Sequence, residues 1–403
     1  MYKMAKLQVI VMGLNLAVNT AVQASIPMSF DRAVDIMSQV HKPIVLRNGK
    51  ARAAVLAEFQ GRVMVTSANG DSGNSLGWFN VEYMGKANED NNSVTGGASR
   101  LWFGPETGPY SVFFRPNESR IAANIQVPSA VSTEPFTLKF SNESSVEFVQ
   151  SISLRNHFGF TFRVNVERNI RLFNTTQIQQ NLDIKFKDNL NVVGFSAVTK
   201  ITNIGDKDWH QDTGILSIWE LGAFHPSDHT TVFIPLRGEL EEVTSYFTPT
   251  LNTHTRIQNN IVYYKTDANY MNKIGIPAAN SPSLVGSYDS DRKLLTVFEY
   301  QLGAPDALYN NSVWYEEGYQ PYGGDIINIF NDGLIDGTGP FGPFYEMETS
   351  SSAVALKIDQ SHQHFQNTYH FIGDEQQIAE IVESLFGLSL QQITQVFNGI
   401  KAK

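Results

Sequence analysis

The chain contains no cysteine among its 403 residues. This absence excludes disulfide bonds, thiolate nucleophiles and cysteine-ligated metal sites. It leaves the cellular compartment open, because a chain without cysteine folds equally well under reducing and oxidising conditions.

Clusters of basic residues are also missing. The 30 Lys and Arg residues are outnumbered by 40 Asp and Glu residues, which gives a formal net charge of −10. Since phosphate binding needs clustered positive charge, the sequence argues against a nucleic-acid partner. The sequence also lacks a phosphate-binding loop and an H-E-x-x-H zinc motif, and no motif predicts a cofactor.

The first 24 residues have the pattern of a secretory signal peptide. Two lysines precede a mostly apolar run from Leu7 to Val18, and Val22-Gln23-Ala24 offers small residues for cleavage. The run is too short for a stable membrane anchor, and no later segment has a transmembrane pattern. We therefore expect residues 1–24 to be removed, the mature chain to begin near Ser25, and the protein to be periplasmic or extracellular. The alternative is an ordinary N-terminal helix.

Strand patterns dominate the middle of the chain. Short β-branched and aromatic runs, separated by Gly, Asn, Asp and Pro, follow one another from Val55 to Lys357. This spacing predicts an antiparallel all-β architecture. No linker interrupts it, so we expect one large sandwich over residues 25–373. The runs with the strongest pattern are Arg62–Thr66, Tyr110–Phe114, Val146–Leu154, Thr231–Ile234, Ile261–Tyr264 and Leu294–Tyr300.

Helical patterns lie at the two ends of the chain. Asp31–Met37 predicts one short helix, and Asp374–Phe397 predicts two. Gly387 is expected to end the first of these two, and Ser389 to cap the second. Residues 374–403 are thus predicted to form a C-terminal helical extension.

The most informative strand runs from Phe344 to Thr349. Alternation places Glu346 and Glu348 on one face and Tyr345, Met347 and Thr349 on the other, which suits a core. A sheet with one packed face and one carboxylate-bearing face commonly holds a ligand on the latter. The alternative is that both glutamates are solvated strand residues.

Other segments combine aromatic and charged side chains. Gly96 to Glu106 offers Arg100 as a planar fork for hydroxyls or carboxylates, Trp102 as an apolar plate, and Glu106 after a proline-restricted turn. Sugars are bound by this chemistry, because aromatic faces pack on C–H surfaces while charged groups hydrogen-bond hydroxyls. The alternative is an edge loop with a structural Arg–Glu pair. Further candidates are Trp219, Lys265, Tyr270 and Asp325, each in a polar and aromatic stretch.

Two groups of residues suggest metal or proton chemistry. Asp325, Asn331 and Asp332 are oxygen donors of the kind that calcium prefers, although their spacing is not that of a helix–loop–helix site and Asx turns explain most such residues. His362, His364 and His370 would share one face of a strand. Together with a glutamate, a histidine such as His364 meets the needs of acid–base catalysis.

Taken together, these segments resemble the galactose-mutarotase-like proteins, and most closely a branch of secreted bacterial proteins. The resemblance covers about residues 45 to 373 and implies a large antiparallel β-supersandwich with a sugar site on the concave face of one sheet. It implies that Glu348, in Glu348-Thr349, is the catalytic base. It rests on the segments Gly96–Glu106, Ser217–Trp219, Lys265–Gly275, Gly286–Asp289, Gly324–Asp325, Asn331–Gly333 and Glu346–Ser351.

The sequence lacks the Asn-Arg and His-x-Tyr-x-Asn segments that catalytic members of the family carry. Three functions therefore stay open. The first is an aldose 1-epimerase, in which Glu348 removes the anomeric proton, His364 protonates the ring oxygen, and Arg100, Trp102 and Lys265 orient the sugar. The second is a non-catalytic oligosaccharide-binding protein. The third is a glycan-cleaving enzyme that uses paired carboxylates. In each case the partner is a sugar or glycan, and the oligomeric state is left open.

Overall fold

A computed structural model describes residues 27–84, 96–187, 189–246, 248–314, 319–334 and 340–400. The predicted signal segment, residues 1–24, lies outside them. No helix within these ranges is long and apolar enough to cross a bilayer. The described part of the chain is dominated by antiparallel strands, and the all-β fold predicted from the sequence is confirmed.

Two large sheets carry the architecture. The six-stranded sheet has the order β11-β14-β17-β18-β9-β4, and the ten-stranded sheet has the order β12-β13-β10-β15-β16-β19-β8-β7-β6-β5. A third sheet, β1-β2-β3, is joined to β4 by an isolated bridge between Val63 and Ser99. The strands of the small and six-stranded sheets are β1 (Ile44–Asn48), β2 (Ala51–Leu56), β3 (Arg62–Ser67), β4 (Arg100–Gly104), β9 (Ser217–Phe224), β11 (Thr244–Ser245), β14 (Asn272–Pro277), β17 (Asp325–Asn331) and β18 (Tyr345–Ser350). Those of the ten-stranded sheet are β5 (Thr137–Ser141), β6 (Ser145–Arg155), β7 (Thr161–Leu172), β8 (Asn191–Asn203), β10 (Thr230–Pro235), β12 (Thr255–Gln258), β13 (Ile261–Lys265), β15 (Leu284–Asp289), β16 (Leu294–Tyr300) and β19 (Ser361–Ile372).

The main core lies between these two sheets. Tyr345, Met347 and Thr349 of β18 point into it, as the sequence predicted, and all three are buried. Thr349 hydrogen-bonds Gln366 of β19 across the interface, and Tyr345 hydrogen-bonds Ser287 of β15. Because side chains alternate along a strand, Glu346 and Glu348 lie on the opposite, outer face of the six-stranded sheet.

The helices flank the sheets. They are α1 (Phe30–Ser38), α2 (Val81–Met84), α3 (Thr175–Leu182), α4 (Glu375–Phe386) and α5 (Leu390–Gln395). The three predicted helices are confirmed, Ser389 caps α5 as expected, and Asp374 caps α4. Gly387 ends α4 with a φ of +64°, which glycine adopts without strain. The α4–α5 pair packs on the outer face of the ten-stranded sheet, where Ile378 and Ile393 join a second core.

One strand prediction was wrong. The segment Tyr110–Phe114 has irregular backbone, although Val112, Phe113 and Phe114 are buried. Its apolar residues are consecutive rather than alternating, so they signal burial without specifying a strand. The segment lies over the outer face of the six-stranded sheet, where the Phe113 ring centroid is 5.0 Å from that of Trp102.

Candidate functional site

The outer face of the six-stranded sheet gathers charged and aromatic side chains. Strand pairing explains the grouping, because Glu348 lies opposite Leu221, and Leu221 lies opposite Arg100. On the other side of β18, Glu346 lies opposite Phe330, which pairs with Lys273 of β14. We call this group the outer-face site. It consists of Arg100, Trp102, Glu106, Trp219, Lys273, Glu346 and Glu348.

Glu348 is held by two donors. Its Oε2 atom accepts hydrogen bonds from Lys273 Nζ and from Trp219 Nε1, each at 2.9 Å. Lys273 Nζ is also 3.6 Å from Glu106 Oε2, so one ammonium group bridges two carboxylates. The same ammonium group lies 4.5 Å from the centroid of the Trp219 ring, within the range of a cation–π contact.

Glu346 has a different partner. Its Oε1 atom accepts a hydrogen bond of 2.8 Å from Arg100, and the Arg100 guanidinium lies 4.2 Å from the centroid of the Trp102 ring. The two pairs side by side, Arg100–Glu346 and Lys273–Glu348, are nearly inaccessible to solvent. The solvated-strand alternative for the two glutamates is therefore wrong.

Burial and neighbouring charges shift the pKa values of three groups in the outer-face site. Desolvation raises the pKa of Glu346 to about 7, against the opposing effect of Arg100. Desolvation also raises the pKa of Glu106, although Lys273 opposes it. For Lys273, burial would lower the pKa, but the charges of Glu348 and Glu106 outweigh it and raise the pKa above its ordinary value.

Two buried donors of the outer-face site lack a partner. Within the described residues, neither Trp102 Nε1 nor Arg100 Nε donates a hydrogen bond. An unsatisfied buried donor costs about 1–3 kcal/mol, so native structures rarely leave one without an external acceptor. The surroundings are partly open, because Trp102 is half-buried and the Glu106 side chain is 22% exposed.

Asp325 lies beside the outer-face site. It accepts hydrogen bonds from Tyr246 Oη at 2.9 Å and from Thr244 Oγ1 at 3.1 Å, and the Tyr246 ring centroid is 5.2 Å from Lys273 Nζ. Burial raises the pKa of Asp325 to about 6. Gly275 leaves the space for this arrangement, because a Cβ atom there would lie 2.1 Å from Asp325 Oδ2.

His364 does not meet Glu348. Its Nε2 atom is 3.0 Å from Thr349 Oγ1, on the core side of the six-stranded sheet. Thr349 and Glu348 are adjacent in β18 and point to opposite faces, so the predicted base–acid pair is not formed. Burial lowers the pKa of His364 to about 3, which keeps the imidazole neutral.

Lys265 and Tyr270 belong to a separate cluster. Lys265 Nζ is 2.9 Å from Asp267 Oδ2, and Asp267 also contacts His254 at 3.2 Å. The Tyr270 ring lies tilted against that of His254, with centroids 5.6 Å apart, and its hydroxyl donates a hydrogen bond to the backbone oxygen of Pro249. Neither residue is brought to Glu348, and the lysine that contacts Glu348 is Lys273 instead.

The predicted calcium ligands are not brought together. Asp325 begins β17 and Asn331 ends it, a span of about 20 Å at roughly 3.3 Å per residue. Asp332 Oδ1 and Oδ2 accept three backbone N–H bonds, from Gly333, Phe341 and Gly342. Within the described ranges, no group of three or more His, Asp or Glu side chains has a geometry that could hold a metal ion, the three histidines of β19 included.

Sequence reasoning missed Lys273 and Tyr246. Lys273 lies in a run, Asn272–Pro277, whose alternation between apolar and other residues was a detectable signal. A lysine buried in such a strand needs a negative partner, which makes Lys273 a better candidate than Lys265 at the end of β13.

Comparisons with known proteins give the following matches. A galactose mutarotase-like protein from Lactobacillus casei ATCC 334 is 12% identical with a TM-score of 0.45, and the match covers 82% of this chain and 100% of that one. A galactose mutarotase related enzyme from Lactobacillus acidophilus is 10% identical with a TM-score of 0.46, and the match covers 83% and 99%. At this level of similarity the matches say nothing about activity or ligand. No curated protein sequence matches the chain.

A family model matches residues 28–397, which is nearly the whole described chain. That family is described as a family of unknown function, DUF6786. The model spans both large sheets and the C-terminal helices α4 and α5. The chain therefore belongs to the DUF6786 family.

Proposed function

We propose that this protein binds carbohydrate at the outer-face site. One observation carries the proposal: among the described residues, the buried donors Trp102 Nε1 and Arg100 Nε have no hydrogen-bond partner, in a site that also holds three carboxylates. A ligand that places oxygen acceptors against these donors removes their desolvation penalty.

Sugar hydroxyls fit this site better than other acceptors. A hydroxyl accepts a hydrogen bond from Trp102 or Arg100 and donates one to a carboxylate such as Glu106. One ligand group therefore pairs with both the donors and the carboxylates of the site. An anionic ligand would meet three carboxylates, Glu106, Glu346 and Glu348, while the cations Lys273 and Arg100 are already paired with them. The indole plane of Trp102 supplies the apolar surface that packs on sugar C–H groups.

An aromatic surface near Glu106 favours a ligand of more than one ring. Tyr110 and Tyr322 stack at 6.0 Å with an interplanar angle of 10°, and Phe158, which is 58% exposed, packs edge-on against Tyr110. This surface is connected to the site through Ser111, whose hydroxyl donates to the backbone oxygen of Glu106 at 2.6 Å. Exposed, rigid rings of this kind bind sugar faces at little entropic cost.

The proposal predicts the effect of Trp102→Ala. Thermal-shift and calorimetric titrations with monosaccharides, neutral oligosaccharides and uronates are expected to identify a ligand for the unmodified chain. Trp102→Ala is expected to weaken binding of that ligand at least about tenfold, or about 1.4 kcal/mol, because the buried donor and the indole plane are both lost.

The matched control is Phe140→Ala, an aromatic residue that is 46% exposed on β5 of the ten-stranded sheet. It is expected to leave binding unchanged. Equal affinity of Trp102→Ala and the unmodified chain would contradict the proposal, as would the absence of any carbohydrate ligand.

A second candidate function is acid–base conversion of the bound sugar. The specific observation is that two glutamates of one site differ in their environment. Glu348 accepts hydrogen bonds from Lys273 and Trp219, whereas burial raises the pKa of Glu346 to about 7. A carboxylate base beside a protonated acid is the arrangement that general acid–base catalysis needs near neutral pH.

Catalysis of this kind predicts a defined pH profile. Because the acid must carry a proton, the rate of aldose anomer exchange or glycan cleavage is expected to fall as pH rises through about 7, the pKa of Glu346. Glu346→Gln is expected to lower the rate by about 10²–10⁴-fold and to remove this limb of the profile. Glu167→Gln, in a surface ion pair on β7, serves as the control. NMR exchange rates that are indifferent to Glu346→Gln would leave binding as the function.

A further inference from the structure

A cavity lies between the two large sheets, on the core side and away from the outer-face site. Its volume is about 130 Å³. A cavity needs only about 10–15 Å³ of this volume to hold a water, so there is room for a molecule of several heavy atoms. The half-buried Arg292 and the exposed Asn74 lie at its mouth.

Strand pairing builds the polar wall of this cavity. Ser287 of β15 lies opposite Thr296 of β16, and Thr296 lies opposite His370 of β19. Three polar side chains therefore form one row across three strands, and Tyr345 of the facing sheet hydrogen-bonds the first of them at 2.9 Å. Phe224 supplies an apolar wall.

The imidazole of His370 is the informative group. It is 1% exposed, its Nδ1 atom is 2.9 Å from Thr296 Oγ1, and within the described residues its Nε2 atom has no partner. Burial lowers its pKa to about 3, so the ring is neutral. If Nδ1 carries the proton, Nε2 is a bare acceptor, and in the other tautomer it is a bare donor. A hydroxyl group satisfies either state.

The charges around the cavity favour an uncharged occupant. Asp289 and Arg292 neutralise each other through a contact of 2.6 Å. His225, the other imidazole at the cavity, lies against the backbone of Gly77, and burial lowers its pKa to about 3. Among the described residues of the lining, an ionic ligand would find no free counter-charge, and burying an unpaired charge is unfavourable.

The segment that closes the cavity, Gly73-Asn74-Ser75-Leu76-Gly77, matches the G-x-S-x-G pattern of a nucleophile elbow. That motif requires a strand-to-helix turn that exposes the serine. Here the segment is an irregular connection after β3, and Ser75 is 1% exposed. The pattern therefore marks no nucleophile, and Ser75 contributes a further polar residue to the cavity lining.

We propose that this inter-sheet cavity is a second binding site, for a small uncharged polyol of about three or four carbons whose hydroxyl group pairs with His370 Nε2. The proposal is independent of carbohydrate binding at the outer-face site, because the two sites lie on opposite faces of β18.

The test uses the whole chain with glycerol and erythritol as probes and acetate as the charged control. Saturation-transfer NMR is expected to show binding of a polyol and not of acetate, and a crystal soaked in erythritol to show a hydroxyl within hydrogen-bond distance of His370 Nε2. His370→Phe is expected to weaken binding at least about tenfold, since one hydrogen bond to a buried group is lost. Glu167→Gln, in a surface ion pair on β7, is expected to leave polyol binding unchanged.

A second variant tests the same site in case His370→Phe fails to fold. Leu294→Trp adds bulk at a half-buried residue of the cavity wall without altering the imidazole, and it is expected to weaken polyol binding as well. Ordered waters alone in the soaked crystal, binding at crystal concentration only, or equal binding by the unmodified chain and both variants would each overturn the proposal.

Discussion

Arg168→Ala is expected to lower the free energy of unfolding by about 3–5 kcal/mol. Arg168 of β7 reaches across the core to Glu220 of β9, and both side chains are 0% exposed. The guanidinium also donates to Thr199 Oγ1 at 2.8 Å, to Ser99 Oγ at 2.9 Å and to the backbone oxygen of Gly61 at 3.2 Å. Removing the cation leaves a carboxylate in the core with no counter-charge, and this desolvated charge is the source of the loss.

Urea unfolding, followed by fluorescence, measures this loss as a lower midpoint at unchanged slope. The control is the double variant Arg168→Met/Glu220→Leu, which replaces the pair by apolar groups. It is expected to recover most of the lost stability, because a well-packed apolar pair is often as stable as a buried ion pair. A single variant within about 0.5 kcal/mol of the unmodified chain, or a double variant as unstable as the single one, would show that the network contributes little.

The parts of the fold that follow from the sequence are those with local causes. Neighbouring residues determine the strand alternation of Tyr345–Ser350 and the caps Gly387 of α4 and Ser389 of α5. Each of these was predicted correctly. The helix α3 was missed although its capping box, Asn174 with Gln177, is also a local signal. The all-β class follows from the same short-range patterns, because strand-forming runs occur throughout the chain.

The composition of the outer-face site has no such local cause. Glu348, Lys273 and Trp219 meet because β18 pairs with β9 on one side and β17 on the other, and β17 in turn pairs with β14. Alternation showed that Thr349 and Glu348 point apart, but only the packing of the two sheets shows that His364 lies on the side of Thr349. The sequence therefore predicted Arg100, Trp102, Glu106, Trp219 and the two glutamates, and could not choose Lys273 over Lys265.

The burial of Glu346 and Glu348 could not be predicted from neighbouring residues either. Glu346 and Glu348 were expected on an accessible face, yet they are 7% and 2% exposed. The Phe113 ring packs on Trp102 of the same site, and its segment was predicted to be a strand. A sequence pattern indicates which side of a strand is apolar. Burial of the polar side depends on where a distant irregular segment packs.

Lys273→Met is expected to destabilise the protein by about 3–5 kcal/mol at pH 8, and by much less at pH 5. Lys273 is the only described cation in contact with Glu106 and one of two donors to Glu348, and its side chain is 5% exposed. Methionine keeps the length of the side chain and removes the charge, so two carboxylates stay together in a desolvated site. Burial already raises the pKa of Glu106, and loss of the opposing effect of Lys273 raises it further.

The sign of the pH dependence follows from linkage. A carboxyl group whose pKa is higher in the folded than in the unfolded chain binds more protons in the folded state at intermediate pH. Its contribution to stability is therefore fully present below the unfolded value of about 4.3 and is lost as pH rises through the folded value. The variant is expected to approach the unmodified chain as pH falls towards 5, and urea unfolding at pH 5 and pH 8 measures the difference.

Lys265→Met is the matched control for this experiment. Lys265 also pairs with a carboxylate, that of Asp267 at 2.9 Å, but its side chain is 26% exposed and Asp267 keeps its contact with His254. Because Lys265 is partly exposed and Asp267 keeps a second partner, a smaller loss than in Lys273→Met is expected there. The double variant Lys273→Met/Glu348→Gln is expected to regain part of the stability at pH 8, because it removes one of the two uncompensated charges. A loss in Lys273→Met that is equal at both pH values would mean that packing of the lysine stem on Trp219 and Tyr246, rather than charge, stabilises the site.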